Sequence, residues 1–287
     1  MILVTGATGT IGKHVVRLLT DNGHAARAMT RSRAGIHPSP GVEVVQADFD
    51  HAASLQQAVA GVHAVFLLTA AQVPTPRHDL ALLAAARSAG VGSVVKLSAI
   101  GTGEPFGADT TVGAWHLLAE QAVRDSGMAW TVLKPSSFAS NWLHWADAIA
   151  AGSPVQNLTG IGAQGIIDPR DVAAVAVAAL TSPGHDSKTY TLTGPELLNV
   201  PEQASQLARI LERPITTIDV PLETARQQML ASGMQPAAVD ATITGSAWAR
   251  AGHNAVLTDD VTRILRRPAT SFRIWAQQHR EAFIRAH

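Results

Sequence analysis

Short apolar runs alternate with amphipathic helical patterns through the first half of this 287-residue chain. The runs that predict strands cover residues 2–4, 25–30, 42–46, 64–68, 93–97 and 129–133. Between them apolar side chains recur at helical spacing, as Ile11, Val15 and Leu19 do after the first run. A helix between two strands returns the chain to the same end of the sheet. The pattern therefore predicts a doubly wound α/β sheet of six parallel strands.

Three glycines stand at three-residue intervals in the turn between the first strand and the first helix. The turn reads TGATGTIG over residues 5–12. Its first glycine permits a tight turn, its second lets the backbone approach a pyrophosphate, and its third lets the helix pack closely on the sheet. The helix N-terminus adds unpaired N–H groups and a positive dipole end. The loop predicts a dinucleotide site formed by Gly6, Thr8, Gly9, Thr10, Ile11 and Gly12.

The end of the second strand indicates which dinucleotide is bound. An NAD site usually has an acidic residue there, which holds the ribose 2′-hydroxyl, but this chain has TRSR at 30–33. A guanidinium pairs with a 2′-phosphate, which a carboxylate would repel. Arg31, and after it Arg33, are therefore predicted to bind NADP(H). Further cofactor contacts are predicted after the third and fourth strands, at Asp48, Phe49, Leu68, Thr69 and Ala70.

After residue 134 the pattern becomes mainly helical. Helices are predicted over 141–151, 171–180 and 201–211 and from 222 onward, with strand-like runs at 189–192 and 215–220. Asp168 and Asp171 favour a helix start over a catalytic pair. We predict a Rossmann domain over 1–134 and a smaller, mainly helical substrate lobe over 135–287. The boundary is approximate and the lobes can interleave. Such a lobe would pack over the carboxyl ends of the strands, where open sheets bind ligands.

Composition excludes several classes of protein. Lys and Arg total 22 and balance 22 Asp and Glu, which argues against nucleic acid as the main partner. The absence of cysteine excludes disulfides and thiol nucleophiles. The histidines show no metal-ligand spacing, so no metal site is predicted. Without a signal peptide or a membrane-spanning run, we expect a soluble, cytoplasmic protein. The oligomeric state is not determined by the sequence, and a homodimer is one option.

Seven segments carry a resemblance to a known group. They are TGATGTIG at 5–12, TRSR at 30–33, ADFD at 47–50, KLSAIG at 96–101, TVLKPSSFASNW at 131–142, IIDPRDVA at 166–173 and LTDDVTRILRRPATSF at 257–272. Together they resemble the NmrA-like NAD(P)-binding proteins, an atypical branch of the short-chain dehydrogenase/reductase superfamily. The resemblance spans nearly the whole chain. The glycine loop is common to the superfamily, whereas the later segments discriminate better.

The resemblance implies a catalytic serine after the fifth strand and a Tyr-x-x-x-Lys motif on the next helix. Ser98 occupies the serine position. The tyrosine position is not matched, because the chain's one tyrosine, Tyr190, lies far outside that helix and has Gly194 four residues on. The chain therefore cannot run the usual relay, in which tyrosine donates a proton and lysine lowers the tyrosine pKa.

The helix after Ser98 carries His116 and Glu120 one turn apart, on one face. This pair resembles the His-x-x-x-Glu variant of some NmrA-like reductases. His116 is a candidate proton donor, or a residue that only orients the substrate, because imidazole titrates near neutral pH. Glu120 would favour the imidazolium if it reaches the ring. The candidate catalytic residues are thus His116, Ser98 and Glu120, against the alternative of a helix histidine with no catalytic role.

The segment after the sixth strand is a candidate for contacts with both cofactor and substrate. In the family a corresponding stretch contacts the nicotinamide ribose, and here it comprises Pro135, Ser136 and Ser137. The predicted substrate contacts, which would stack on a flat apolar acceptor, are Phe138, Asn141 and Trp142. Core packing is the alternative for the two aromatic residues, and for Trp145 it is preferred. Residues 160–165 are glycine-rich and predict a flexible loop, with a lid as one option.

Three functions fit these observations. The first is an NADPH-dependent reductase that passes hydride directly to an electron-poor conjugated molecule of quinone, azo, dye or enone type. Such acceptors spread the incoming charge, so they need less help from a strong proton donor. The second is a ketone or imine reductase of secondary metabolism with His116 as proton donor. The third is a non-enzymatic regulatory protein that senses the NADP redox state. We favour the first because the Tyr-Lys pair is missing, and the predicted partner is a small aromatic or conjugated molecule.

Overall fold

The computed structural model describes residues 1–32, 40–69 and 74–284. The strands in these residues are β1 Ile2–Val4, β2 Ala26–Thr30, β3 Val42–Gln46, β4 Ala64–Leu67, β5 Ser93–Leu97, β6 Ala129–Pro135, β7 Val155–Asn157, β8 Lys188–Leu192 and β9 Thr217–Asp219. The α-helices are α1 Gly12–Asp21, α2 Ala52–Val59, α3 Arg77–Ser88, α4 Ala114–Arg124, α5 Ala146–Ala150, α6 Pro169–Thr181, α7 Val200–Leu211, α8 Leu222–Ala231, α9 Pro236–Arg250, α10 Asp260–Leu265 and α11 Phe272–Gln278. None of the described helices is long and apolar enough to cross a membrane.

Seven strands form one parallel sheet in the order β3-β2-β1-β4-β5-β6-β8. The predicted doubly wound fold is confirmed, but the predicted number of six strands is wrong. The seventh is β8, which pairs with β6 from Thr131 opposite Lys188 to Pro135 opposite Leu192. The sequence pattern showed β8 as a strand but not its partner, because the pairing joins residues far apart in the chain.

Helices cover both faces of the sheet. α1, α6 and α10 pack on one face, where Val15 and Val172 join the buried strand residues in one core. α2, α3 and α4 pack on the other face through residues such as Leu82 and Val123. The central strands β1 and β4 are buried along their full length, as a parallel sheet with two covered faces requires.

The smaller lobe contains most elements after β6, including the two-stranded sheet of β7 and β9. Its core contains Trp142, Phe272, Trp275 and Phe283. The chain leaves this lobe to form α6 and β8, which pack on and in the main sheet. Residues after 134 therefore contribute to both lobes.

Residues 139–145 form a 3₁₀ helix, and α5 follows directly. The helix predicted over 141–151 is therefore α-helical only in its second part. The apolar spacing could not distinguish the two forms, because residues three apart lie on one face in both. The tighter 3₁₀ turn brings Phe138 and Trp142 to the same cavity, described below.

The N-terminus of α6 is held by the two carboxylates that the sequence assigned to a helix start. Asp168 is the N-cap, and its Oδ1 accepts the backbone N–H of Arg170 at 2.8 Å. Such a cap contributes about 1 kcal/mol. Asp171 accepts the backbone N–H of Thr270 and the guanidinium of Arg267, each at 2.6 Å. That prediction is confirmed, and Asp171 also ties the C-terminal segment to α6.

Candidate active site

The glycine turn lies between β1 and β4, where the strand order reverses. Gly6 has φ +60°, and Gly9 N–H donates to Gly6 O at 2.9 Å, which closes the turn. A Cβ on Gly12 would lie 2.1 Å from Gly6 O, so only glycine fits there. No side chain caps the N-terminus of α1. Among the described residues the N–H of Gly12, the first residue of α1, has no partner. The turn thus forms a narrow backbone cradle that fits the pyrophosphate of a dinucleotide.

The other predicted cofactor residues follow the carboxyl ends of β2, β3 and β4. Arg31 is exposed, and no carboxylate in the described part of the chain pairs with its guanidinium. Asp48 and Phe49 are half-buried, and the Phe49 ring stacks on His78 with a centroid distance of 5.1 Å. Leu68 and Thr69 are half-buried beside the glycine turn. Arg33 and Ala70, which were also predicted, lie outside the described residues.

A buried ion pair that sequence reasoning missed supports this edge of the sheet. Lys96 Nζ, on β5, lies 2.8 Å from Asp79 Oδ1, on α3, and both side chains are at most 1% exposed. Asp79 Oδ2 accepts the hydroxyl of Thr69 at 2.8 Å. Lys96 also donates to the carbonyl of Leu97 at 2.7 Å. The pair therefore fixes the ends of β4 and β5 to α3. The sequence carries no signal for this pair, because Asp79 is seventeen positions from Lys96 and the contact is tertiary.

A cavity of about 510 Å³ opens where β5 and β6 end. It brings together the sequence-predicted residues Ser98, His116, Pro135, Ser136, Ser137, Phe138, Asn141 and Trp142. Its volume is typical of a site for a small molecule. Among the described residues that line it, none is Lys, Arg, Asp, Glu or Tyr. Glu120 and the glycine turn lie outside the lining.

Aromatic side chains from both lobes line this cavity. They are Trp115, Phe138, Trp142, Trp145 and Trp248. Trp142 is also part of the lobe core, where its Nε1–H donates to Gln203 Oε1 at 2.6 Å. Trp145, expected only in the core, lines the cavity too. Trp115 and Trp248 lacked a sequence signal, because Trp248 reaches the site from α9 only through the packing of the two lobes.

Glu120 is fully buried behind Ser98. The Ser98 hydroxyl donates to Glu120 Oε1 at 2.6 Å. Glu120 Oε2 lies 2.8 Å from Arg124 Nη2 and 3.2 Å from Lys134 Nζ. Both carboxylate oxygens are thus engaged by groups other than His116, so the condition under which Glu120 would favour the imidazolium is not met. The physical reason is that Lys134 on β6 and Arg124 on α4 compete for the carboxylate. Glu120 orients Ser98 instead.

His116 is neutral at physiological pH. Burial, and after it the charges of Lys96 and Lys134, lowers the pKa of His116 to about 3. Its Nδ1 is buried and has no hydrogen-bond partner within the described residues. The ring therefore enters the cavity lining as an uncharged group, and it is a weak proton donor at neutral pH.

This assignment predicts how stability depends on pH. Below pH 6.5 the unfolded chain protonates His116, whereas the folded chain does so only near pH 3. The free energy of unfolding therefore loses up to about 1.4 kcal/mol per pH unit from this residue as the pH falls. His116→Phe, which cannot titrate, should lack that part of the loss. Urea denaturation of both proteins at pH 7, 5.5 and 4.5 measures it, and a difference independent of pH would contradict the assignment.

Tyr190 lies in β8 and is buried in the core on the α1 and α6 face of the sheet. Its hydroxyl is 2.9 Å from His185 Nδ1, and its ring lies 5.5 Å from the Arg263 guanidinium carbon. Burial raises the pKa of Tyr190. It is not among the residues that line the cavity, so the structure also separates it from the site.

The strand order of the sheet reverses at a glycine turn that can hold phosphate, and a cavity for a small molecule lies next to it. This combination defines a nucleotide-cofactor-binding protein with an adjoining substrate site. Sequence comparison identifies the family. Residues 6–183 match a family model described as NAD(P)H-binding. The chain belongs to this family, and its resemblance to NmrA-like, atypical short-chain dehydrogenase/reductase proteins is confirmed.

Two curated relatives match the whole chain. A (4-alkanoyl-5-oxo-2,5-dihydrofuran-3-yl)methyl phosphate reductase of Streptomyces griseus is 41% identical over 283 residues, which are 99% of each chain. An NAD(P)H azoreductase of Xenophilus azovorans is 36% identical over 285 residues, again 99% of each. The predicted class, an NAD(P)H-dependent oxidoreductase, is thereby confirmed.

A solved structure supports the fold. The NADPH-dependent quinone oxidoreductase of Escherichia coli, complexed with NADPH, superimposes with a TM-score of 0.85. The alignment covers 97% of this chain and 99% of that one at 23% identity. At this identity the likeness shows that the two chains share one architecture over their full length.

Proposed function

We propose that the protein is an NADPH-dependent reductase of a flat, conjugated small molecule. The observation that carries the proposal is the cavity at the ends of β5 and β6, which has aromatic side chains and no charged one among its described lining residues. Aromatic faces bind flat conjugated rings by stacking and by burying apolar surface. Ser136 and Ser137, which are expected to contact the nicotinamide ribose, line this cavity and so support the proposal.

The residues that would hold the cofactor extend along the sheet edge. The glycine turn would hold the pyrophosphate, and Arg31 would pair with the 2′-phosphate. When bound, a reduced nicotinamide supplies a hydride, that is, one proton and two electrons. Thr69 would lie beside it, with its hydroxyl fixed by Asp79 and Lys96.

The chemistry of the cavity favours an acceptor that needs little acid catalysis. The neutral His116 and the Ser98 hydroxyl, which is held by Glu120, supply only weak proton donors. Quinones, azo compounds and enones delocalise incoming negative charge, and their products take protons from water. The named activities of the two curated relatives, which include an azoreductase, support this class. A simple ketone would need a stronger acid.

The test is NADPH oxidation by the purified protein, followed at 340 nm, across quinones, azo compounds, enones, cyclic imines and simple ketones. We expect turnover with one or more of the first three and none with simple ketones. Turnover only with ketones or imines would favour the alternative mechanism through His116. Tight NADPH binding without turnover on any acceptor would favour a redox sensor and overturn the proposal.

The choice between NADPH and NADH tests the role of Arg31. Arg31→Glu should weaken NADPH binding by about 10–100-fold, because one or two charge-assisted hydrogen bonds are lost. The affinity for NADH should stay nearly unchanged. Fluorescence titration with each cofactor measures both. Arg27→Glu is unsuitable as a control because Arg27 pairs with Glu43. Arg273→Glu, on the exposed face of α11, is the matched charge change far from the site. Equal losses for NADPH and NADH would contradict the assignment.

A further inference from the structure

Three buried polar side chains form a hydrogen-bonded chain along one side of the cavity. The Ser136 hydroxyl donates to Asn254 Oδ1 at 3.0 Å, and Asn254 Nδ2 donates to Gln164 Oε1 at 2.9 Å. The three residues are 3%, 4% and 7% exposed, and all line the cavity. These hydrogen bonds link the end of β6 to the smaller lobe.

The directions of these hydrogen bonds leave the side-chain amide of Gln164 at the end of the hydrogen-bonded series. Asn254 Oδ1 accepts the hydroxyl proton of Ser136, and the Asn254 amide donates to the carbonyl oxygen of Gln164. Gln164 then has only its Nε2 donors left, and no group in the described part of the chain accepts them. The Nε2 atom is not enclosed by protein and is open to the cavity, so this position is suited to an acceptor on a ligand.

The backbone of Gln164 is fixed, contrary to the expected flexible loop. Its N–H and C=O exchange hydrogen bonds with Leu198 at 3.1 and 3.0 Å. On either side, a Cβ on Gly162 would lie 2.1 Å from Ala249 O, and one on Gly165 would lie 2.7 Å from Val256 O. These contacts and hydrogen bonds hold the backbone of Gln164, so its amide is preorganised.

We propose that Gln164 Nε2 donates a hydrogen bond to the carbonyl oxygen of an uncharged quinone or enone, and that this contact selects carbonyl acceptors among flat conjugated molecules. The proposal deepens the proposed function and rests on it for the identity of the reductant. A neutral acceptor fits the lining, in which no described residue offers a lysine or arginine to a phosphate or sulfonate.

The reaction shows why such a contact would matter. When an enone gains a hydride at its β carbon, the alkene electron pair moves toward the carbonyl carbon, and the carbonyl pair moves to oxygen. The acceptor becomes an enolate with its negative charge largely on oxygen, and the α carbon then takes a proton from water. The acceptor gains two electrons and the nicotinamide loses two. A fixed N–H donor stabilises the charge that develops on oxygen. In an azo acceptor the charge develops on nitrogen, so the same donor contributes less.

The test compares two acceptors in three variants of the full-length protein with NADPH. Gln164→Met removes the amide at similar size, Gln164→Glu keeps the oxygen that accepts from Asn254 but replaces the N–H donors with a negative charge, and Gln206→Met is the matched change outside the cavity. The acceptors are menadione, a neutral quinone, and azobenzene, which has no carbonyl. Thermal unfolding and NADPH affinity check that each variant is folded.

For both Gln164 variants we expect kcat/KM with menadione to fall by about 100-fold, with azobenzene reduction changed by less than about threefold. Equal losses on both acceptors would indicate a merely structural role, and an unchanged menadione rate would also overturn the proposal.

A second readout separates this proposal from the proposed function. With NADP⁺ bound, no turnover occurs, and infrared spectroscopy can follow the carbonyl stretch of bound ¹³C-labelled menadione. The stretch should shift to lower frequency in the wild type and in Gln206→Met but not in Gln164→Met. If the wild type reduces no acceptor yet shows this shift, the proposed function fails and the Gln164 contact stands. No shift in the wild type overturns the contact even when turnover is observed.

Discussion

Replacing Gly12 by alanine is expected to weaken NADPH binding by more than about 100-fold. The new Cβ would lie 2.1 Å from Gly6 O, 2.7 Å from Gly6 C and 2.8 Å from Ala7 Cα. All three are backbone atoms, so no side chain can rotate to relieve the overlap. Either the glycine turn or the first turn of α1 must move, and both carry N–H groups that would face the phosphates.

The stability of Gly12→Ala should fall by only about 1–3 kcal/mol, because the strain is local and the sheet below it is unaffected. In this variant NADPH titration should therefore show a large loss of affinity, and urea denaturation should show only a small loss of stability. Gly92→Ala is the control, since its Cβ would meet only His63 O at 3.5 Å, an ordinary contact. Near-normal NADPH affinity in Gly12→Ala would show that the turn does not hold the cofactor.

Breaking the buried pair of Lys96 and Asp79 should have the largest effect on stability. Asp79→Asn keeps the size of the side chain and an acceptor for Thr69 but leaves the Lys96 ammonium, which is 0% exposed, without a counter-charge. Removing one partner of a buried pair costs about 3–5 kcal/mol.

Two further variants make this prediction testable even where Asp79→Asn fails to fold. The double variant Asp79→Leu with Lys96→Met removes both charges, and its unfolding free energy should recover most of the loss. Asp240→Asn makes the same chemical change in the exposed pair with Arg226 and should alter stability by about 0.5 kcal/mol or less. A double variant less stable than the single one would show that the pair contributes more than its desolvation costs.

The sequence by itself determined the architecture and the class of cofactor, and it predicted which residues hold that cofactor. Strand and helix periods are local properties, and so are the glycine spacing and the missing acid after the second strand. These gave the doubly wound sheet, the phosphate cradle at Gly12 and the expectation for Arg31. They also excluded the Tyr-Lys relay, because the position of Tyr190 can be judged without any tertiary contact.

Only the tertiary structure decided which groups act on one another. The pairing of β8 with β6, the contact of Lys96 with Asp79 and the chain from Ser136 to Gln164 each join residues distant in sequence. Glu120 illustrates the difference. Glu120 lies one helical turn from His116, as its spacing predicts. Its carboxylate nevertheless contacts Ser98, Arg124 and Lys134, which approach it from other directions.

The charge state of the site has the same origin. The ordinary pKa of a histidine says nothing about His116, whose pKa is lowered by burial and by two lysines on neighbouring strands. Spacing along the chain specifies which side chains share a face, whereas desolvation and charge depend on everything that packs around them. For that reason the fold and the cofactor loop were accessible from the sequence, and the electrostatics and donor geometry of the cavity required the folded structure.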